Sequence, residues 1–271
     1  MEVRKFTAGG KEVTLYPASI SDRPLIVLNT YTGNGKSVAE ELGKLNAPDH
    51  NLLVIGNLNW NHDMCPWECP ALSKNDTPCT GGADEYLGLL LSEILPKAKE
   101  MLVGQPAFTA ITGYSLAGLF ALYALYRCEE FDRAASMSGS LWFPDFTDYV
   151  FKHEMLRKPE KLYLSLGDKE ARTQQTLLKT VQHNTEAITE HYRSQGIDVI
   201  FEMNEGNHFK EPALRSAKGI IAIYGGGVKA LSVQRCRAGD RSCIYGRGRA
   251  VVHDRLYRAE CKGTQGVAGT P

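Results

Sequence analysis

Three kinds of side chain in this sequence have the chemistry and the order of a nucleophilic site. Ser115 lies in Gly-Tyr-Ser-Leu-Ala-Gly, the carboxylates Asp168 and Glu170 follow it, and His208 comes last, in Gly-Asn-His-Phe. A serine hydroxyl is a weak nucleophile until an imidazole removes its proton, and a carboxylate holds that imidazole in the required tautomer. The sequence therefore predicts a catalytic triad of Ser115, His208 and an acid. Glu170, three residues past Gly167, is the preferred acid, and Asp168 in the same turn is the alternative.

The residues around Ser115 have the pattern of a strand, a tight turn and a helix. Phe-Thr-Ala-Ile-Thr at 108–112 is typical of a buried strand, and residues 119–128 are apolar and rich in helix formers. Small residues flank the serine, so strand and helix can approach closely, as a nucleophile elbow requires. The pattern departs from Gly-x-Ser-x-Gly at Ala117, which is still small. The backbone N–H of Leu116, at the helix N-terminus, is the expected first donor to an oxyanion.

Strands and helices alternate along residues 1–224. The patterns predict strands at 12–16, 24–29, 51–56, 108–112, 134–138, 161–166 and 198–203, and helices at 37–45, 83–103, 119–128, 173–194 and 213–224. Ser37 and Glu40 have the spacing of a capping box at the start of the first helix. Such alternation predicts an α/β fold with a mostly parallel central sheet and helices on both faces. Functional groups then gather at the carboxyl ends of the strands, where Ser115, Glu170 and His208 all lie.

Composition limits the classes of partner. The chain has 271 residues and a formal net charge of zero, which does not indicate nucleic-acid binding. No apolar run approaches the ~20 residues of a membrane span, so no membrane partner is expected. The N-terminal residues are polar and mixed, which predicts a cytoplasmic protein. Seven cysteines, an odd number, are scattered and do not predict a disulfide framework.

The long loop at residues 57–82 has the highest density of reactive and aromatic side chains after the triad. Three cysteines, His62 and Asp63 lie in it, but the Cys-x3-Cys spacing beside prolines does not fit a zinc site, and no metal is predicted. The loop follows an early strand, so it is expected to reach over the carboxyl edge of the sheet and form a pocket wall. The alternative is that its aromatic residues pack the loop on itself. The residues expected in the substrate pocket are Trp60, Trp67, Tyr114, Trp142 and Phe143.

Residues 225–271 do not continue the strand and helix pattern. They open with three glycines and contain seven Arg and two Lys but two Asp and one Glu, a net excess of six positive charges. One interpretation is a basic arm for anionic partners. The favoured interpretation is a disordered or non-native Gly/Arg-rich extension that follows a complete α/β domain at 1–224.

Residues 25–224 resemble the α/β-hydrolase superfamily and, within it, the putative-esterase family that includes siderophore (enterochelin) esterases and S-formylglutathione hydrolase. The matching segments are residues 113–121, 137–143, 166–170 and 206–208. The resemblance implies that Ser115 is the nucleophile, His208 the base and Glu170 the acid, with no cofactor. It also implies that the loop after the strand at 24–29 supplies the second oxyanion donor. The family often has His-Gly there; this chain has Asn-Thr-Tyr-Thr-Gly, which leaves Tyr31 or Thr32 as that donor.

The sequence as a whole predicts a serine hydrolase that cleaves small carboxylic esters through an acyl-enzyme. The same triad would also serve an acyltransferase, with an alcohol as acceptor, or a peptidase acting on amides. A non-catalytic binding module with a decayed site is a further alternative. The residue pattern predicts neither the natural substrate nor the oligomeric state.

Overall fold

The computed structural model describes residues 2–224. The segment 225–271, which the sequence separates as a basic extension, lies outside the described residues, and both interpretations of it stay predictions. The strands are β1 (Arg4–Ala8), β2 (Lys11–Tyr16), β3 (Leu25–Asn29), β4 (Asn51–Gly56), β5 (Glu68–Cys69), β6 (Cys79–Thr80), β7 (Thr109–Tyr114), β8 (Arg133–Met137), β9 (Lys161–Gly167) and β10 (Asp198–Asn204). The helices are α1 (Lys36–Lys44), α2 (Trp60–Asp63), α3 (Ala83–Leu89), α4 (Leu95–Glu100), α5 (Leu116–Ala124), α6 (Phe146–Lys152), α7 (Val181–Ser194) and α8 (Pro212–Ala222).

Eight of the strands form one central sheet in the order β1-β2-β4-β3-β7-β8-β9-β10. From β4 to β10 all neighbours are parallel, and β1 and β2 form an antiparallel pair at one edge. The short strands β5 and β6 pair with each other outside this sheet. The expectation of a mostly parallel sheet, the α/β-hydrolase fold, is confirmed.

Helices cover both faces of the sheet because its inner strands alternate apolar side chains between two cores. In β3, Leu25 and Val27 belong to the core formed with α3 to α7, whereas Ile26 and Leu28 belong to the core formed with α1 and α8. Every residue of α5 is buried, so this helix lies inside the larger core. No helix within residues 2–224 has both the length and the apolar character needed to span a bilayer.

Several elements differ from the sequence prediction. The helix expected at 83–103 is α3, a π-helical turn at Leu90–Ile94 and then α4. Pro96 has no N–H to donate to the carbonyl of Ser92, four residues earlier. This missing hydrogen bond disfavours a regular α-helix at that point. The helix expected from residue 173 begins only at Val181, after a 3₁₀ turn at Leu178–Thr180. The sequence patterns predict neither strand β1 nor helix α6.

The capping box expected at Ser37 does not form. Helix α1 begins one residue earlier, at Lys36, and its N-cap is Gly35 with φ 72° and no side-chain cap. A Cβ on Gly35 would come within 2.5 Å of the Val54 side chain. The close approach to β4 therefore requires glycine at the cap, which outweighs the local preference for serine.

Candidate active site

Ser115 stands at a strained corner between β7 and α5. Its φ of 62° and ψ of −124° are unfavourable for a residue with a side chain, and such geometry persists only where the surroundings enforce it. The Ser115 N–H donates to the carbonyl of Met137 on the neighbouring strand at 3.1 Å. A Cβ on Gly113 would lie 2.4 Å from the Ala117 carbonyl carbon, so strand and helix meet as closely as the motif predicts.

Ser115, His208 and Glu170 form one hydrogen-bonded chain. The Ser115 Oγ lies 3.0 Å from His208 Nε2, and His208 Nδ1 lies 2.8 Å from Glu170 Oε2. The serine comes from the β7–α5 corner, the glutamate follows β9, and the histidine lies between β10 and α8. Tyr114 Oη donates to the His208 carbonyl at 2.8 Å, which fixes the histidine loop against the elbow. This arrangement can transfer a proton from the serine to the imidazole while the carboxylate holds the ring.

Asp168, the alternative acid, has a different partner. Its Oδ1 accepts the Gly206 N–H at 2.6 Å, and its own N–H donates to the Asn204 carbonyl at 2.8 Å. It therefore joins the ends of β9 and β10, and no hydrogen bond joins it to His208 in the part of the chain that the structure describes. The structure thus brings Glu170, and not Asp168, to the imidazole.

The second carboxylate oxygen of Glu170 is held by three donors. Its Oε1 accepts hydrogen bonds from Ser138 Oγ at 2.8 Å, from the Gly167 N–H at 2.6 Å and from Arg215 Nη1 at 3.1 Å. Burial would raise the pKa of Glu170, but the hydrogen bonds from His208, Ser138 and Gly167 outweigh it and hold the pKa below its usual value. The carboxylate is therefore ionised when the imidazole needs a countercharge.

Arg215 is a residue that sequence reasoning missed. It is 2% exposed and also donates to Ser138 Oγ at 3.1 Å, to Tyr114 Oη at 3.2 Å and to the Glu205 carbonyl at 2.9 Å. It lies on the buried face of α8, which also includes Ala217 and Ile220. A charged residue on the buried face of an amphipathic helix was the available signal, because such a charge needs a partner.

The residues expected to supply the oxyanion donors line the same cavity as Ser115. Leu116 is the first residue of α5, so its N–H has no acceptor within the helix. Tyr31 and Thr32 line the same cavity as Ser115 and Leu116. Within residues 2–224 neither of their N–H groups donates to another protein atom, so each is available as the second donor.

Asn29 is a second residue that the sequence did not single out. It is 1% exposed at the carboxyl end of β3 and contributes to the cavity wall. Its Oδ1 accepts a hydrogen bond from Tyr86 Oη, while its Nδ2 has no partner among the described residues. In the sequence, Asn29 could have been recognised as a polar residue that directly follows the four apolar residues of β3. The arrangement leaves one buried amide donor in the wall of the cavity that contains Ser115.

A cavity of about 1010 Å³ opens over the serine and is lined by several loops at the carboxyl edge of the sheet. Trp60, Trp142 and Tyr114 line it, as expected. Trp67 and Phe143 do not, which corrects the sequence expectation. Their rings lie 5.7 Å apart, and Trp67 Nε1 donates to the Pro144 carbonyl at 3.1 Å, so these two aromatic residues pack the loop onto α6 instead.

The charge of the cavity wall is low and negative. Among the described residues that line it there is no Lys or Arg, and the carboxylates are those of Asp76 and Glu170. Glu170 is already neutralised by Arg215, whereas Asp76 is exposed on the loop between β5 and β6. An anionic ligand would therefore meet no compensating side chain here.

The loop residues considered for a metal have other partners. Asp63 accepts hydrogen bonds from Lys11 Nζ and from the Asn59 N–H, the latter at 2.8 Å, and His62 Nδ1 contacts Thr80 Oγ1 at 2.7 Å. Within residues 2–224, no group of three or more His, Cys, Asp or Glu side chains is placed to hold a metal ion.

Several known proteins are similar to this chain in sequence or in structure. The uncharacterized protein YbbA of Bacillus subtilis (strain 168) is 23% identical over 201 residues, which cover 70% of this chain and 80% of YbbA. The siderophore hydrolase EstB of Aspergillus nidulans has a similar structure, with a TM-score of 0.57 and 17% identity over 83% of this chain and 96% of EstB. The enterobactin hydrolase IroE in complex with DFP has a TM-score of 0.58 and 18% identity over 83% of this chain and 95% of IroE.

The enterobactin esterase FES of Shigella flexneri, in the presence of 2,3-di-hydroxy-N-benzoyl-serine, is similar over 82% of this chain, with a TM-score of 0.61 and 18% identity. This chain spans 58% of the length of that esterase. Residues 30–211, which include the elbow, most of the cavity wall and all three members of the hydrogen-bonded chain, match the family model described as "Putative esterase". The chain therefore belongs to the putative-esterase family of the α/β-hydrolase superfamily and is a carboxylic ester hydrolase.

Proposed function

We propose that this ester hydrolase acts through an acyl-enzyme on Ser115, with His208 as the general base and Glu170 as the acid of the triad. One observation carries the proposal: the Ser115 Oγ lies 3.0 Å from His208 Nε2, and His208 Nδ1 lies 2.8 Å from Glu170 Oε2. Those distances fall within the range for a base that removes a proton directly. An unbroken chain of this kind argues against a decayed, purely binding site.

The reaction follows from these contacts. Ser115 Oγ attacks the ester carbonyl carbon as His208 Nε2 takes its proton, and the Leu116 N–H with that of Tyr31 or Thr32 stabilises the negative oxygen. The imidazolium then returns the proton to the departing alkoxide, which leaves as an alcohol. Water attacks the acyl-serine in the same way, with His208 again as base, and the carboxylic acid leaves. Glu170 stabilises the imidazolium in both halves of the reaction.

The cavity wall favours uncharged esters. Its described residues include no Lys or Arg, and Asp76 adds an exposed negative charge at the rim. Trp60 and Trp142 offer flat apolar surface for an acyl or aromatic group. A neutral ester such as p-nitrophenyl butyrate is expected to react at least about tenfold faster in kcat/KM than the anionic p-nitrophenyl hemisuccinate, a difference of about 1.4 kcal/mol. The Asp76→Asn variant is expected to reduce this difference in kcat/KM between the neutral and the anionic ester.

The named relatives suggest a substrate to include. EstB is named a siderophore hydrolase, and IroE and FES are named for enterobactin. Enterobactin therefore belongs beside the p-nitrophenyl esters as a test substrate. An acyltransferase on the same triad would transfer the acyl group to an added alcohol in preference to water, and product analysis in the presence of such an acceptor separates the two activities.

The residues invoked here all lie within 1–224, so we propose that this part carries the activity. A chain that ends at Tyr224 is expected to keep the kcat/KM of the full chain. A cytoplasmic location remains a prediction from the sequence.

Substitution at the triad tests the mechanism. Ser115→Ala and His208→Ala are each expected to lower turnover of p-nitrophenyl esters by about three or more orders of magnitude, because neither residue works without the other. A fluorophosphonate is expected to label the wild-type chain at Ser115 and to leave Ser115→Ala unlabelled. Ser194→Ala, which removes an exposed hydroxyl at the end of α7 that does not line the cavity, serves as the control. Full turnover in Ser115→Ala would refute the proposal.

A further inference from the structure

Three cysteines lie in the loop that borders the active-site cavity, and the proposed mechanism uses none of them. Cys65 follows α2, Cys69 ends β5 and Cys79 begins β6. The Cys65 and Cys79 sulfur atoms lie 2.7 Å apart, although 13 residues separate them in the chain. Their side chains are 0% and 8% exposed. A buried sulfur pair at this separation needs little movement to form a covalent bond.

The backbone on both sides of the sulfur pair is held together. The Ala83 N–H donates to the Cys65 carbonyl at 3.2 Å, and the Gly82 N–H donates to the His62 carbonyl at 2.9 Å. These two bonds join the end of α2 to the segment that follows Cys79. The path of the backbone therefore brings Cys65 and Cys79 close together.

Cys69 is the competing partner. It lies directly opposite Cys79 in the β5–β6 pair, but its sulfur donates to the Pro70 carbonyl at 3.4 Å. Cys65, and not Cys69, has the sulfur contact with Cys79. Of the two possible partners of Cys79 in this loop, the contact selects Cys65.

We propose that Cys65 and Cys79 are a modification site that forms a reversible disulfide by exchange with a small disulfide such as oxidised glutathione. The Cys79 thiolate attacks one sulfur of the small disulfide and releases one thiolate, which takes up a proton. Cys65 then loses its proton and attacks the Cys79 sulfur of the mixed disulfide, and the second small thiol leaves. Two protein thiols are oxidised and one small disulfide is reduced to two thiols, so atoms and electrons balance.

The surroundings of the pair suit this order of events. Cys79 lines the active-site cavity, from which a small disulfide reaches it, whereas Cys65 lies behind it. The hydrogen bond from Cys65 lowers the pKa of the Cys79 thiol, and the same bond together with burial raises the pKa of Cys65. Cys79 is therefore the attacking thiolate and Cys65 the resolving thiol.

Peptide mapping of the full chain tests the site without reference to activity. The protein is equilibrated with reduced and oxidised glutathione at graded ratios, its free thiols are alkylated, and it is digested without reduction. Trypsin cleaves after Lys74 and Glu-C after Glu68, so Cys65, Cys69 and Cys79 fall on three separate peptides. The expected result is a linked pair that contains Cys65 and Cys79, with a mass two hydrogen atoms below the sum of the free peptides. Dithiothreitol is expected to remove it.

Matched variants distinguish this disulfide from its competitors. Cys69→Ser and Cys128→Ser are expected to keep the linked pair, and Cys65→Ala is expected to abolish it and to leave Cys79 as a glutathione adduct. Wild-type protein in which Cys65 and Cys79 stay fully alkylated at the most oxidising ratio would overturn the proposal. A predominant Cys69–Cys79 link would overturn it as well. Because the readout is a peptide mass, failure here is separate from failure of the hydrolase mechanism.

Discussion

Replacing Arg215 with methionine removes the only Arg or Lys side chain in contact with the buried carboxylate of Glu170 among the described residues. The guanidinium and the carboxylate lie 3.1 Å apart, and their side chains are 3% and 4% exposed. Methionine keeps much of the volume but leaves Glu170 charged and without its cation. A buried ion pair that loses one partner typically costs about 3–5 kcal/mol, because the remaining charge is poorly solvated. We expect the free energy of unfolding of Arg215→Met to fall by this amount.

Urea unfolding measures the change, and an exposed ion pair of this chain supplies the control. Arg127 contacts Asp84 at 2.9 Å, but these side chains are 44% and 52% exposed. Arg127→Met should therefore cost no more than about 1 kcal/mol. The double variant Arg215→Met/Glu170→Gln should have a higher free energy of unfolding than Arg215→Met, because it removes the buried negative charge as well.

Two results would refute this reasoning. Equal losses in Arg215→Met and Arg127→Met would mean that burial does not strengthen the contribution of the Arg215 pair. A double variant no more stable than Arg215→Met would mean that the loss comes from apolar contacts and not from the stranded charge. Turnover gives an independent readout, since Arg215 holds the carboxylate that orients His208, and kcat should fall in Arg215→Met even where the protein remains folded.

Three further predictions concern the triad acid and the elbow. Glu170→Gln should lower kcat by about three to four orders of magnitude, while Asp168→Asn should change it less than about tenfold; the reverse ranking in an ester assay would assign the acid to Asp168. Because hydrogen bonds hold the pKa of Glu170 below its usual value of 4.5, its stabilising contribution is complete above about pH 4.5 and is lost as the pH falls through the folded-state pKa. The difference in unfolding free energy between wild type and Glu170→Gln should accordingly shrink on acidification, and a constant difference would contradict the pKa shift. Gly113→Ala places a Cβ 2.4 Å from the Ala117 carbonyl carbon and should lower the free energy of unfolding by about 1–3 kcal/mol. The control is Gly43→Ala, whose Cβ meets open space and which should raise the free energy of unfolding by up to about 1 kcal/mol. Thermal or urea unfolding measures both changes.

The proposed disulfide and the proposed mechanism concern neighbouring parts of one cavity. Cys79 and Ser115 both line it. The sulfur atoms already touch, so oxidation should change the position of the loop little. The kcat for hydrolysis of p-nitrophenyl butyrate is therefore expected to differ by less than about twofold between the oxidised and the reduced protein.

Several features of this protein are set by short stretches of sequence. The alternation of apolar strands with amphipathic helices predicts a mostly parallel sheet, because each stretch must bury its own apolar face. Ser115 is recognisable because a strand, small residues and a helix follow one another within about twenty positions. His208 is recognisable because residues just past a parallel strand reach the carboxyl edge of the sheet. These signals are local, and the tertiary contacts agree with them.

Other features depend on contacts between distant segments. Asp168 and Glu170 share one turn, and only the way β9 and β10 end together directs Glu170 to the imidazole while Asp168 binds the Gly206 N–H. Trp67 is of a residue type common in pockets, yet it packs beneath the loop because Phe146 and Tyr149 of α6 offer aromatic rings there. Arg215 lies 45 residues from Glu170 in the chain, and no local pattern pairs them. The sequence alone determined which groups reach the edge of the sheet, because that depends on where each strand ends; the tertiary structure decided which of them touch, because contact depends on how separate segments pack in three dimensions.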